Sequence, residues 1–188
     1  MEALRETFLV IAATPVYGLL IILELALSNW RGRPAYRWRD TLENVYLSAC
    51  NALLDLLMRG VAVSVLGFFY QQQWAAIKHP WIYWITLVVG LDFLFWLLHW
   101  VDHRCRLFWT MHVTHHSSDE FNLTTGFRSS VFQPLYRFVY FVPLAAAGFA
   151  PVDILFVYAA SQTYGVLLHT QQVGKLGILE WILVTPSH

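Results

Sequence analysis

Five histidines fall between Leu98 and Ser117, and their spacing is that of metal ligands. His99 and His103 are four apart, which on a helix puts both imidazoles on one face, within reach of one ion. His112, His115 and His116 add a three-apart pair with an adjacent histidine, so neighbouring rings can point at different ions. His169, in Leu168-His169-Thr170, and His188 bring further imidazoles from distant sequence. These seven exceed the three or four that one zinc takes, which favours a two-metal centre. Nitrogen donors alone suit iron, zinc or copper and do not decide among them. Asp92 lies seven residues before His99, two turns back on the same helical face, and is expected to orient an imidazole from behind.

The elements that must position these residues are set by composition. The chain is 188 residues long, 57% apolar and 13% charged, with a mean hydropathy of +0.50. That is greasy for a water-soluble globule and points to a bilayer as solvent. Twelve basic residues balance twelve acidic ones, so there is no basic face for nucleic acid. Cys50 and Cys105 have no framework spacing and read as free thiols.

An all-α integral membrane fold is expected, with three transmembrane helices plus a shorter helical hairpin, arranged as one membrane-embedded domain over residues 1–188. Transmembrane helices fill residues 1–90 and the histidine-rich catalytic region fills 91–188. Three segments reach the roughly 20 residues a span requires. The first runs from about Phe8 to Trp30, with Pro15 as a kink and Glu24 as an inward carboxylate, and is read as a retained anchor rather than a cleaved signal. The second runs from about Val45 to Tyr70, where Asp55 and Arg59 are placed to pair four apart, and the third from Trp81 to Val101. Two shorter apolar runs, Pro134–Ala150 and Pro151–Leu168, meet at Gly148-Phe149-Ala150-Pro151 as a hairpin that enters the membrane and returns. Arg31, Arg33, Arg37 and Arg39 place the loop after the first span in the cytoplasm by the positive-inside rule. Counting crossings from there brings all seven histidines to one cytoplasmic membrane face and leaves His79 in a loop on the other.

Three stretches carry a resemblance to a known family: Asp92-Phe-Leu-Phe-Trp-Leu-Leu-His99-Trp-Val-Asp-His103, Leu107-Phe-Trp-Thr-Met-His112-Val-Thr-His115-His116, and Glu180-Trp-Ile-Leu-Val-Thr-Pro-Ser-His188. With them the chain resembles the fatty acid hydroxylase and sterol desaturase superfamily of membrane di-iron oxygenases. Its Phe121-Asn-Leu-Thr-Thr-Gly-Phe-Arg128 stretch looks most like the alkylglycerol monooxygenase branch. The resemblance implies two iron ions held by three histidine boxes, with O2, a lipid substrate and an electron donor, either a reduced pterin or a donor protein. Asn122, Thr124 and Arg128 are expected either to line the substrate or support the ligands, or to build the loop they sit in. The resemblance implies that the third box begins at His188, so the sequence reads as a fragment whose ligand set is cut short, and Trp100 stands where many relatives carry Arg. The implied reaction is oxidation of a lipid C–H bond, of sterol, fatty acyl or alkylglycerol type. Three rivals remain: a membrane zinc hydrolase, weakened by the lack of a His-Glu-x-x-His pattern, a bis-histidine haem protein, and an inactive fragment of the family.

Overall fold

A computed structural model of the protein describes residues 3–187. Six helices follow one another: α1 (Ala3–Trp30), α2 (Trp38–Gln71), α3 (Pro80–Arg104), α4 (Arg106–His112), α5 (Val142–Ala146) and α6 (Pro151–Leu167). Short 3-10 turns sit at His115–Ser117, Thr125–Phe127, Gln133–Leu135, Arg137–Phe141 and Gly177–Trp181, and no strand occurs among the described residues.

Helices α1, α2 and α3 are long and apolar enough to cross a membrane. Their outward faces carry exposed Ile11, Leu19, Leu53, Leu56, Ile85 and Val89. Hydrocarbon accommodates such a surface, whereas monomeric soluble proteins rarely show apolar patches of this extent. Pro15 lies inside α1, and the helix runs on through it to Trp30. The core is built where α2, α3, α5 and α6 meet, around Leu66, Leu87, Leu91, Phe141, Leu144 and Ile154.

The expected hairpin is present, with unlike arms. Its outgoing arm is broken into 3-10 turns and the five-residue α5, because Pro134 and Pro143 each restart the helix at its first turn. Its return arm is α6, 17 residues, or about 25 Å at 1.5 Å per residue. Gly148 makes the reversal at φ +97°, where a Cβ would strike the Ala75 carbonyl. Trp74 N–H donates to the Ala146 carbonyl at 3.1 Å, so the tip docks under the α2–α3 connection. His99, His103, His112, His115, His116 and His169 lie at the opposite end.

Polar contacts pin α1 to α6 along its whole length. Arg5 lies 3.6 Å from Asp153, the Tyr17 hydroxyl donates to the Thr163 carbonyl at 2.9 Å, the Thr170 hydroxyl donates to Glu24, and Arg31 donates to Gln172 at 2.9 Å. Glu24 is buried, as expected of it. Asp55 and Arg59 do not pair with each other: Arg137 donates to Asp55 and Arg59 donates to Glu6. Each finds a partner on a facing segment, and those links tie α2 to its neighbours.

Candidate metal centre

The site is made by a break in one long helix. At Cys105 the backbone is extended (φ −95°, ψ 120°), ending α3 and starting α4. The chain folds back there, so that His112 at the end of α4 lies against His99 with ring centroids 4.7 Å apart. One turn later His116 joins them. Nε2 of His99 faces Nε2 of His103 at 3.2 Å, and Nε2 of His112 faces Nε2 of His116 at the same distance. One ligand atom from each of His99, His103, His112 and His116 lies within 4.8 Å of the others. Around an ion with bonds of about 2.1 Å, opposite ligands stand about 4.2 Å apart, so small side-chain movements suffice for these four to hold a metal ion.

Two further imidazoles stand beside this group. His115 and His169 have ring centroids 5.3 Å apart, and His115 is 5.1 Å from His116. His115 Nδ1 lies 2.8 Å from the Arg128 carbonyl, and His169 Nδ1 lies 2.8 Å from the Gly165 carbonyl. A carbonyl only accepts, so in each ring Nδ1 carries the hydrogen and Nε2 keeps a lone pair. Backbone carbonyls behind the ring are a common way of presenting imidazole to a metal.

Burial keeps His112, His115, His116 and His169 neutral and able to ligate. Burial, followed by repulsion from the neighbouring imidazoles, pushes the His112 pKa down to about 3. Burial also lowers those of His115, His116 and His169. Nδ1 of His112 is buried and lacks a hydrogen-bond partner. Asp102 Oδ2 is 3.4 Å away, within ion-pair range but poorly aligned for a hydrogen bond. That carboxylate is itself fixed by Gln133 at 3.1 Å and the Tyr136 hydroxyl at 3.0 Å. Polarised by a bound cation, His112 would have its acceptor in place. His99, His103, His112 and His116 thus form a group that could hold a metal ion, with the imidazoles of His115 and His169 beside it. His188 lies outside the described residues.

The remaining expected residues have other work. Asp92 is exposed on α3 and, among the described residues, no hydrogen bond joins it to an imidazole; the carboxylate that approaches a ring is Asp102, 3.4 Å from His112 Nδ1. Asn122 is fully buried. Its amide donates to the Ala35 carbonyl at 2.6 Å, and its oxygen accepts from Thr124 N–H and hydroxyl at 2.9 and 2.6 Å. It shapes the loop, the structural role open to it from the sequence. Arg128, also buried, donates to the Thr114 carbonyl, Ser117 Oγ, Asp40 and Asn44, clamping the His112–Ser117 segment to α2 while its own carbonyl orients His115. Gly126 packs so closely on α6 that a Cβ there would come 3.2 Å from His169 Nδ1. Sequence reasoning passed over Trp109, whose ring lies 5.3 Å from His103 and 5.8 Å from His116, over the exposed side of the four-histidine group.

A fatty acid hydroxylase family profile matches residues 84–188, more than half of the chain. The chain is 33% identical over 184 residues to alkylglycerol monooxygenase of Xenopus tropicalis and 32% identical over 185 residues to that of Homo sapiens, covering 94% of this chain and 40% of each relative. To alkylglycerol monooxygenase of Caenorhabditis elegans it is 29% identical over 157 residues, 80% of this chain and 31% of that protein. The chain therefore spans about 40% of the length of the first two relatives. No solved structure matches. The matched region begins on α3 and takes in the seven histidines from His99 to His188, and the chain belongs to the fatty acid hydroxylase family.

Proposed function

We propose that this chain carries the metal-binding part of a membrane-bound di-iron hydroxylase that uses O2 to oxidise a C–H bond of a lipid. The observation that carries the reading is the convergence of six imidazoles from α3, α4, the His115–Ser117 turn and the end of α6, with His115 and His169 presenting Nε2 inward. When bound, two iron ions supply the redox chemistry by which O2 and two electrons convert R–H to R–OH and water, with two protons taken up. Membership of the fatty acid hydroxylase family and the similarity to alkylglycerol monooxygenases support a monooxygenase, and an alkylglycerol is the substrate they favour. Oxidation at its ether-bearing carbon gives a hemiacetal, which falls apart. A reduced pterin or a donor protein would supply the electrons.

The chain's own residues do three things in this reading. The carbonyls of Arg128 and Gly165 hold the hydrogen on Nδ1 of His115 and His169, leaving Nε2 for the metal. Asp102 stands ready to accept from Nδ1 of His112 once that ring is polarised. Trp109 shields the exposed edge of the four-histidine group from water. Arg31, Arg33, Arg37 and Arg39 follow α1 at the histidine end and support a cytoplasmic orientation for the site. A zinc hydrolase fits less well, because the carboxylate nearest the cluster, Asp102, is buried behind His112 and engaged by Gln133 and Tyr136, away from the place of a base.

Metal analysis of the purified full-length protein, combined with turnover of an alkylglycerol under 18O2, tests the reading. Two irons per chain, no Soret band and 18O in the product are expected. Zinc alone, a haem spectrum, or oxygen derived from water would overturn it.

A further inference from the structure

Helix α1 presents its apolar residues outward, and its two buried side chains among the described residues are polar: Glu24, 3% exposed, and Ser28, 0% exposed. A carboxylate inside a span is costly unless it is fully hydrogen-bonded, and such residues usually serve function. Glu24 accepts from three segments at once. The Tyr36 hydroxyl donates to it from the loop before α2, Leu123 N–H donates at 2.9 Å from the loop before the Thr125–Phe127 turn, and the Thr170 hydroxyl donates from beyond α6. Two of these segments hold His169. Thr170 is its chain neighbour and also accepts from Gln172 N–H at 3.1 Å. The turn after Leu123 carries Gly126, against which the His169 ring lies.

We propose that Glu24 is a positioning residue for the His115–His169 metal position. Its carboxylate anchors Thr170 and the Leu123 loop, and through them sets where His169 presents Nε2. It does not touch the metal; it stands 146 positions from Thr170 in sequence, on a helix that lies outside the family-matched region. This assignment rests on the two-metal reading above. The four-histidine position is built from α3, α4 and the turn that follows, and has no contact with Glu24.

The test is Co2+ titration of the full-length protein in lipid nanodiscs. It reads metal-to-protein ratio, the visible spectrum of bound Co2+ and the thermal midpoint. Glu24→Gln keeps the shape and removes the charge, Thr170→Val removes the hydroxyl, and Thr170→Ser restores it. Glu6→Gln, at the other end of α1, is the control. Loss of a partner behind a ligand weakens metal binding roughly 10–100-fold. That loss is expected for the second Co2+ in Glu24→Gln and Thr170→Val, with the first Co2+ bound as in the wild type and Thr170→Ser behaving as wild type. Two wild-type affinities in Glu24→Gln, or equal loss of both metals together with a lowered thermal midpoint, would overturn the assignment. A wild-type protein that binds fewer than two Co2+ would overturn the two-metal reading itself, and this proposal with it.

Discussion

Gly126→Ala is the most informative small change, because the structure sets its size. A Cβ on residue 126 would stand 2.9 Å from Val166 Cα, 3.1 Å from Val166 O and 3.2 Å from His169 Nδ1, where ordinary contact begins at 3.4 Å. Two of those neighbours are backbone, so relief requires the end of α6 and the Thr125–Phe127 turn to part by about 0.5 Å, more than the ~0.2 Å tolerance of metal–ligand distances. Overpacking of this kind costs about 1–3 kcal/mol, and displacement of His169 is expected to weaken the second metal roughly tenfold or more. Gly165→Ala supplies the same methyl one helical turn before His169, with nothing within 4 Å, and is expected to leave metal content unchanged. Metal stoichiometry and thermal midpoint of the two variants, side by side in nanodiscs, provide the assay. Equal metal content and equal midpoints in both would refute the claim that the close approach at Gly126 positions His169.

Asp102→Asn exchanges the acceptor behind His112 for a neutral amide, and metal affinity at the four-histidine position should fall about 10–100-fold; equilibrium competition with a chelator measures it, and unchanged affinity would mean Asp102 is a core residue only. Arg128→Lys cannot reproduce the planar fork, leaving two or more of the Thr114, Ser117, Asp40 and Asn44 acceptors unpaired, a loss of about 2–4 kcal/mol that a lowered thermal midpoint would register. The metal-free protein should lose stability as pH falls. His112, His115, His116 and His169 all have folded pKa values below the unfolded 6.5, so below about pH 6.5 the unfolded chain binds more protons. The decline continues towards the His112 value of about 3; a midpoint that stays level from pH 7.5 to 5 would contradict it.

The three long helices, the reversal at Gly148 and the gathering of His99, His103, His112, His115, His116 and His169 were legible because each is written locally, in apolar run length or in i, i+4 spacing. Asp92 shows where local reading misleads. Seven residues of separation from His99 were counted on a helix without knowing which stripe faces inward. That stripe is Leu87, Leu91, Leu98 and Asp102, and a carboxylate continuing a row of buried leucines was the signal that would have singled out Asp102. Asp55 and Arg59 were paired by the same local rule, yet both had partners on facing segments. The anchoring of Thr170 by Glu24 could not be read at all, since nothing near either residue names the other. For Asn122 and Arg128 the sequence leaves a loop role open beside a substrate or ligand role, and only their partners, Ala35 for the one and Thr114 and Asn44 for the other, show what each braces.

The polar rungs between α1 and α6 make the two helices a unit, with His169 just past the end of one of them. Helix α1, at 28 residues, is about 42 Å long, against a hydrocarbon thickness of about 30 Å, so it must tilt or protrude. A thinner or thicker membrane would change that tilt and, through the rungs, move the end of α6. For the proposed membrane hydroxylase, turnover should therefore depend on acyl-chain length of the surrounding lipid, peaking where hydrophobic mismatch is least, and the composition of the host membrane becomes part of the proposed reaction's setting.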